Sequence, residues 1–299
     1  MDLIAFGPVF VELVFGAVPA MPGPGEEVYS DAFAVSCGGA VSVVSAAKGV
    51  GAVAGLATEL GGDFADRIVE RHCTTVGVDI SPSRRTASSA TGVTVVLNAG
   101  RDSAFLSHMP PRGRSVDTPA WWSEVVDRYR PRWVYLHARA GARSFIETAR
   151  RLGCHVAVDT DLRTVTRAPG TVSDCAAAAD LFVPNRTELS LLTGTEDVLQ
   201  AVEGLGIPAT TVIVKAGPAG AFLVQKGTLD HVEAGLVDVQ VEDTTGAGDA
   251  FAGALLGRLA GGADMLVALE AANRAGSAAV SRLGALGPVV EWGAAGGAS

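Results

Sequence analysis

Residues 133–159 read WVYLHARAGARSFIETARRLGCHVAVD, from Trp133 to Asp159. Residues 133–136 form a short apolar run rich in aromatic and β-branched side chains, the form of a buried strand. Residues 142–152 follow as a helix that Gly153 stops. Residues 155–158 are again a strand, with Asp159 at its carboxyl end. Strand, helix and strand at this spacing predict a right-handed crossover between parallel neighbours. Downstream, residues 181–183, 211–214 and 221–224 continue the strand series. Upstream, residues 3–6 are an apolar run closed by Gly7-Pro8, and residues 9–15 can form a second strand.

Pro19, Pro22, Gly23, Pro24 and Gly25 mark residues 16–30 as a loop or irregular edge. A helix is expected from Gly38-Gly39 to about Lys48, and another, capped by Asp63, over residues 64–75. Residues 88–98 alternate apolar and polar types with dense β-branching, which predicts a strand. Residues 98–102 are its turn and 103–107 a return strand. The expectation is one domain over residues 1–299, a three-layer α/β/α arrangement with a mostly parallel sheet. The strand-rich pieces at about 9–35 and 86–112 interrupt that pattern and would form a small β lid.

The 299 residues carry 23 Lys+Arg against 32 Asp+Glu, a formal charge of −9. Hydrophobic residues at 48% and charged ones at 18% exclude disorder and allow a sizeable core. Acidic balance without a basic run disfavours nucleic-acid or anionic-membrane partners. Cys37, Cys73, Cys154 and Cys175 form no CxxC pair, which disfavours a disulfide scaffold and structural zinc. The most apolar stretch, residues 34–57, is interrupted by Lys48 and reads as a buried helix with its flanks rather than a membrane span. Met1-Asp2-Leu3-Ile4 lacks the basic start of a signal peptide, so a soluble cytoplasmic protein is expected.

The chemistry concentrates in Glu242-Asp-Thr-Thr-Gly246-Ala-Gly248-Asp249-Ala-Phe251. A small-residue turn there leads into an Ala/Leu-rich helix, after a strand expected to end near Val241. Gly246 and Gly248 let a ligand approach the backbone, and the helix N-terminus adds partial positive charge, which suits phosphate or a developing oxyanion. A carboxylate at Asp249 makes sense there as acceptor of a proton from a hydroxyl about to attack a phosphoryl group. By residue type alone, an ordinary helix start with Asp243 or Asp249 as N-cap also fits. The sequence has no G-x-x-x-x-G-K-[ST], and Phe251 breaks G-x-G-x-x-G.

Asp243-Thr-Thr-Gly-Ala-Gly-Asp249-Ala-Phe-Ala-Gly253 resembles the C-terminal signature of the ribokinase-like carbohydrate kinases, the PfkB family. Gly38-Gly39-Ala40, residues 55–62, Asp159-Thr-Asp161-Leu-Arg163, Asn185-Arg-Thr-Glu188, Lys215-Ala-Gly217-Pro-Ala-Gly220 and residues 271–285 resemble other family segments in order and spacing. The resemblance covers nearly the whole chain. It implies a ribokinase-like fold and an ATP-dependent, Mg²⁺-requiring kinase acting on a hydroxyl of a small sugar-like molecule.

Carried over by resemblance, Asp249 is the catalytic base, and Gly246, Ala247 and Gly248 form the anion hole. Asn185 and Glu188 hold Mg²⁺, Glu188 through water. Lys215, Gly217, Gly220, Thr244, Thr245 and Asn273 lie on the nucleotide side, though a solvated lysine is an alternative for Lys215. A monovalent cation such as K⁺ would take Asp243 and carbonyls near Thr245, Ala279, Arg282 and Gly284.

The acceptor side, with Glu12, Gly38, Gly39 and Val43, departs from the family pattern. Glu12 replaces the usual Asp, Val43 the usual Asn, and Asp161 the Asn of D-x-N-x-R, so the acceptor need not be ribose or fructose. Arg101 in the lid turn, and His137, Arg139 and Arg143 after the strand of residues 133–136, can face the acceptor. An anionic sugar is then one option and surface arginines the other. A nucleoside kinase, with Phe10, Phe15, Phe33 and Phe105 as a base slot, and a silent binding regulator are the alternatives. Open lid edges suggest a homodimer.

Overall fold

The computed structural model describes residues 1–87, 91–99, 102–110, 118–207, 210–233 and 241–287. Its layers follow from alternation in the first strand. In β1 (Leu3–Phe6), Leu3 and Ala5 join one apolar cluster while Ile4 and Phe6 join the other. The chain then builds β2 (Val9–Gly16) and β3 (Ala32–Gly39), which runs straight into α1 (Ala40–Gly49). After β4 (Ala54–Ala57) and the short β5 (Glu59–Leu60) comes α2 (Phe64–Val76). The expected Asp63 cap is present as a reciprocal capping box with Asp66. Next are β6 (Arg84–Arg85), β7 (Gly92–Ala99) and β8 (Asp102–His108).

The regular half follows as α3 (Pro119–Tyr129), β9 (Trp133–His137), α4 (Ala142–Arg151) and β10 (His155–Asp159). Then come α5 (Leu162–Arg167), α6 (Pro169–Ala178), β11 (Leu181–Phe182), α7 (Arg186–Thr193) and α8 (Val198–Gly204). The chain continues through β12 (Thr211–Lys215), β13 (Ala221–Gln225), β14 (Thr228–Val232), α9 (Ala247–Ala260) and α10 (Met265–Ala279).

The main sheet has eight strands in the order β14-β13-β12-β11-β10-β9-β1-β4. Pairs from β4 to β12 are parallel, and β13 and β14 are antiparallel at one edge. Helices α1, α2, α9 and α10 cover one face, and α3 to α8 the other. The three layers match the expectation. Small residues let α1 and α9 touch: a Cβ on Gly253 would stand 2.1 Å from the Val43 carbonyl oxygen.

The expected lid is a separate four-stranded sheet, β3-β2-β7-β8, with β2 parallel to β7 and its other pairs antiparallel. Its first half extends to Gly39 rather than ending near 35, because β3 stays paired with β2 up to Val9↔Gly39. Two further boundaries differ. The family-like segment 271–285 is helical only in part: the last helix covers Met265–Ala279, since Asp264 caps it early and the chain turns after Val280. Val241 is not in a strand, and residues 234–240, the rest of the strand expected there, lie outside the described residues.

Candidate active site

The turn before α9 is built around Gly246, whose φ of 75° is left-handed. A Cβ there would stand 2.3 Å from the Ala285 Cβ and 2.8 Å from its Cα, so the segment after α10 presses on the turn. Asp243, only 4% exposed, braces both pieces: Oδ1 accepts the Thr245 N–H at 2.9 Å and Oδ2 the Gly284 N–H at 2.9 Å. It is therefore not a helix cap. No side chain caps α9, unlike α2, α7 or α10. Its first N–H groups and the positive end of its dipole are left for a ligand.

Asp249 lies in the first turn of this helix. Burial is the main reason its carboxyl is raised to about 6; the nearby Asp159 adds to this, while His137 and Lys215 oppose it. By surface area Asp249 is only half-buried. That exposure lets solvent screen the neighbouring charges.

Beside it, three strand ends converge. Lys215, at the end of β12, donates to Asp159 Oδ1 at 2.9 Å and Oδ2 at 2.7 Å. The Asp159 side chain is 2% exposed and that of Lys215 is 14% exposed. Attraction to Asp159 and Glu188 outweighs desolvation and raises the Lys215 ammonium, so it stays charged. Its Nζ stands 3.4 Å from where a Cβ on Gly248 would be, against the glycine turn. The solvated-lysine alternative is thus replaced by a buried ion pair. Tyr135, fully buried, donates to Asp159 Oδ2 at 3.1 Å, and its oxygen is 2.9 Å from His137 Nε2. Asp161, expected at a sugar-reading position, caps α5 through Thr164.

Asn185 and Glu188 form a reciprocal capping box on α7, each side chain accepting the other's backbone N–H at 2.8 Å. Glu188 is 7% exposed and raised by burial, with Lys215 opposing. A desolvated carboxylate beside Lys215 and Asp159 suits a phosphate-bound, hydrated Mg²⁺, which needs few protein ligands. Gly217 and Gly220 bound a 3₁₀ turn (Gly217–Ala219) after Lys215, both with positive φ. Thr244 and Thr245 line the turn itself, with Ala247 N–H reaching the Thr244 carbonyl at 3.4 Å.

On the lid, Glu12 points at this centre. It is 7% exposed, its Oε2 has no hydrogen-bond partner, and burial pushes its carboxyl up to about 7. The Ala285 N–H offsets this in part, and Asp249 and Asp243 add like charge. The glycine pair is explained by this residue and by the start of α1. A Cβ on Gly38 would stand 2.2 Å from Glu12 Oε1, and Gly39, at φ 76°, passes against the Pro8 carbonyl.

Several expected contacts lie elsewhere. Val43 is fully buried between α1 and α9, so it fills the core and offers an acceptor no surface. Asn273 Nδ2 donates to the Val232 and Glu233 carbonyls at 3.1 and 3.0 Å, tying α10 to the end of β14. The Arg139 guanidinium lies 4.7 Å above the Trp122 ring, on the α3 side, because the chain leaves the sheet after His137. Arg143 pairs with Glu147 at 3.0 Å. Arg101 lies outside the described residues. The phenylalanine slot divides: the Phe15 and Phe33 rings pack 4.9 Å apart, tilted by 53°, on the lid face opposite Glu12, while Phe10 and Phe105 share its face. Among the carbonyls expected near a cation, that of Gly284 accepts the Gly287 N–H at 3.0 Å. The ion pair with Asp159, and the Tyr135–His137 contact, were not anticipated from the sequence; Asp159 at a strand end was the available signal.

The pfkB family carbohydrate kinase pattern matches residues 9–292. An ATP-dependent ribose-1-phosphate kinase of Halopiger xanaduensis is 32% identical over 254 residues, covering 83% of this chain and 81% of that protein. The bifunctional protein HldE of Bradyrhizobium diazoefficiens is 36% identical over 155 residues, which are 48% of this chain and 28% of that longer protein. Arabidopsis thaliana ribokinase complexed with ribose and ATP shares the fold at TM-score 0.76 and 22% identity, covering 96% of each chain. An E. coli ribokinase-like protein in complex with ATP and Mg²⁺ superposes at 0.79 and 21% identity, covering 95% of this chain and 94% of that one. Within the described residues, no helix is long and apolar enough to cross a membrane. The chain belongs to the pfkB family of carbohydrate kinases, ATP-dependent phosphotransferases acting on sugar hydroxyls.

Proposed function

We propose that this chain, as a single cytoplasmic domain, transfers the γ-phosphoryl group of ATP to a hydroxyl of a small neutral sugar or polyol. The observation that carries the reading is Asp249, set in the first turn of an uncapped helix with the Lys215 ammonium against the same glycine turn. The acceptor hydroxyl donates its proton to the Asp249 carboxylate as its oxygen forms a bond to the γ-phosphorus. The bond to the ADP oxygen breaks in line, and ADP leaves with that electron pair. Charge on the equatorial oxygens meets the N–H groups at Gly246, Ala247 and Gly248, the helix dipole and Lys215.

Asn185 and Glu188 would hold Mg²⁺ through water, and the ion when bound neutralises nucleotide phosphate charge. Thr244, Thr245, Gly217 and Gly220 border the triphosphate, and Asn273 secures the segment beside the adenine. K⁺ at Asp243 and the carbonyls of Thr245, Ala279, Arg282 and Gly284 would stiffen the turn. Glu12, with its orphaned oxygen, accepts acceptor hydroxyls beneath the lid. A neutral acceptor is supported because Glu12 and Asp249 bring like charge together there while Arg139 lies over Trp122. Among the described residues, the edges of β3 and β8 are unpaired, which supports a homodimer through the lid.

The test is Mg²⁺-dependent ATP consumption against neutral sugars, polyols, sugar acids, phosphosugars and nucleosides, each with and without K⁺. Turnover confined to a neutral sugar or polyol supports the reading. Turnover confined to a phosphosugar or a nucleoside refutes the acceptor class, and ATP binding without turnover on any acceptor favours a regulator.

A further inference from the structure

In β3 the residues Ala34, Ser36 and Gly38 share one face, and Ser36 stands directly opposite Glu12 in the ladder. Ser36 is fully buried, so its hydroxyl needs a partner. It finds one 250 residues along the chain: Ser36 Oγ accepts the Leu286 N–H at 3.0 Å. A Cβ on Gly284, itself at φ 80°, would stand 2.5 Å from the Ser36 Cβ, so only glycine lets that segment lie against the strand. On the same lid face, a Cβ on Gly16 would stand 2.7 Å from Leu283 Cδ1. The neighbouring amides are held as well. The Gly284 N–H goes to Asp243 Oδ2 at 2.9 Å, and the Ala285 N–H to the Glu12 carboxyl. Three consecutive amides, 284 to 286, are therefore gripped by Asp243 from the glycine turn and by Glu12 and Ser36 from the lid. The residue in the middle, Ala285, is the one whose Cβ would meet a Cβ on Gly246 at 2.3 Å. The other oxygen of Asp243 holds the Thr245 N–H at 2.9 Å.

We infer that Ser36 is a positioning residue for the anion hole: by holding residues 284 and 286 against the lid, it keeps the Ala285 methyl seated on Gly246. The left-handed conformation of Gly246 sets where the following N–H groups point, and Ala285 is the surface it rests on. Without the Ser36 oxygen, the Leu286 N–H loses its buried acceptor and that end of the segment lifts from β3. Gly246 then depends on the Asp243 bonds alone. Because Ser36 and Glu12 are ladder partners, the strands that carry the acceptor-facing carboxyl also set the shape of the phosphate-facing turn. The kinetic consequence rests on the kinase reading, whereas the effect on the turn is measurable without turnover.

Two measurements test it in the full chain. The first is amide hydrogen exchange without ligands, comparing the natural chain with Ser36→Ala and with Ser103→Ala. The latter removes a lid hydrogen bond, from Ser103 Oγ to Asn98 Oδ1 at 2.8 Å, that does not involve residues 283–287. In Ser36→Ala the Thr245 and Ala250 amides, bonded within the turn and first helical turn, should exchange about tenfold faster while the amides of β10 keep their rates. Ser103→Ala should leave all of them unchanged. Unchanged exchange at Thr245 in Ser36→Ala, an equal rise in Ser103→Ala, or a rise that extends to β10 overturns the inference, whether or not any acceptor is turned over. The second is steady-state kinetics on an acceptor that is turned over. Ser36→Ala should lower kcat by about tenfold or more with KM for ATP within about threefold, because a displaced anion hole is felt chiefly in the transition state. An unchanged kcat, or a loss confined to KM, overturns the inference.

Discussion

Glu12→Gln removes one charge from the acceptor site and leaves the shape nearly unchanged. In the folded protein the Glu12 carboxyl is raised from 4.5 to about 7, chiefly by burial. The folded state therefore binds this proton more tightly than the unfolded chain does. Stability contributed by the protonated group is fully present below about pH 4.5 and is lost as pH rises through about 7. Between pH 5 and pH 8 the loss is about 2 to 3 kcal/mol, at 1.36 kcal/mol per pKa unit. The side chain is 7% exposed, so solvent screening gives little reduction. Gln cannot ionise, so its stability relative to the natural chain should increase by that amount over the same interval. Urea unfolding of both proteins at pH 5 and pH 8, without ligands, measures it. Equal pH dependence of the two would refute the claim that burial holds the Glu12 carboxyl above its ordinary value in the free enzyme. The same variant should bind acceptor more weakly, because an amide cannot replace a charged acceptor of two hydroxyls.

The remaining predictions concern the transfer centre. Gly246→Ala forces a Cβ to 2.3 Å from the Ala285 Cβ at a left-handed φ, so turnover should fall about 100-fold or more and stability by about 1 to 3 kcal/mol, read by steady-state kinetics and urea unfolding. Lys215→Met leaves Asp159 buried without its cation and should cost about 3 to 5 kcal/mol; adding Asp159→Asn should restore part of that, which a double-mutant cycle in urea will show. Asp249 must be ionised to accept a proton, so in the Glu12→Gln background, where no second carboxyl of the site titrates nearby, kcat/KM should fall as pH drops through about 6, tenfold per unit below it, in a pH–rate profile.

The fold was legible because its signals are local. Apolar runs at residues 133–136 and 155–158, separated by one helix, fix the crossover, and Asp63 fixes the start of α2 through its own turn. The glycine turn and Asp249 were legible for the same reason: the chemistry lies within four consecutive residues. The Lys215–Asp159 pair was not, since it joins residues 56 apart and depends on which strands become neighbours. Nor was the Tyr135 hydrogen bond to Asp159, which joins residues 24 apart on neighbouring strands. Arg139 could face the acceptor, or be a surface arginine, because it follows the strand of residues 133–136. Alternation no longer governs a side chain beyond the strand end, and Trp122 offered its ring. Asn273 carried no signal of its partners, two backbone carbonyls about 40 residues earlier.

The central claim is that Asp249 takes the proton from the acceptor hydroxyl. The direct measurement is single-turnover phosphoryl transfer by Asp249→Asn at saturating ATP and acceptor, with nucleotide affinity determined on the same preparation. The account predicts a transfer rate lower by about 10²- to 10⁴-fold with nucleotide affinity retained. Transfer within a few-fold of the natural chain would contradict it, and the base would have to be sought elsewhere in the cleft.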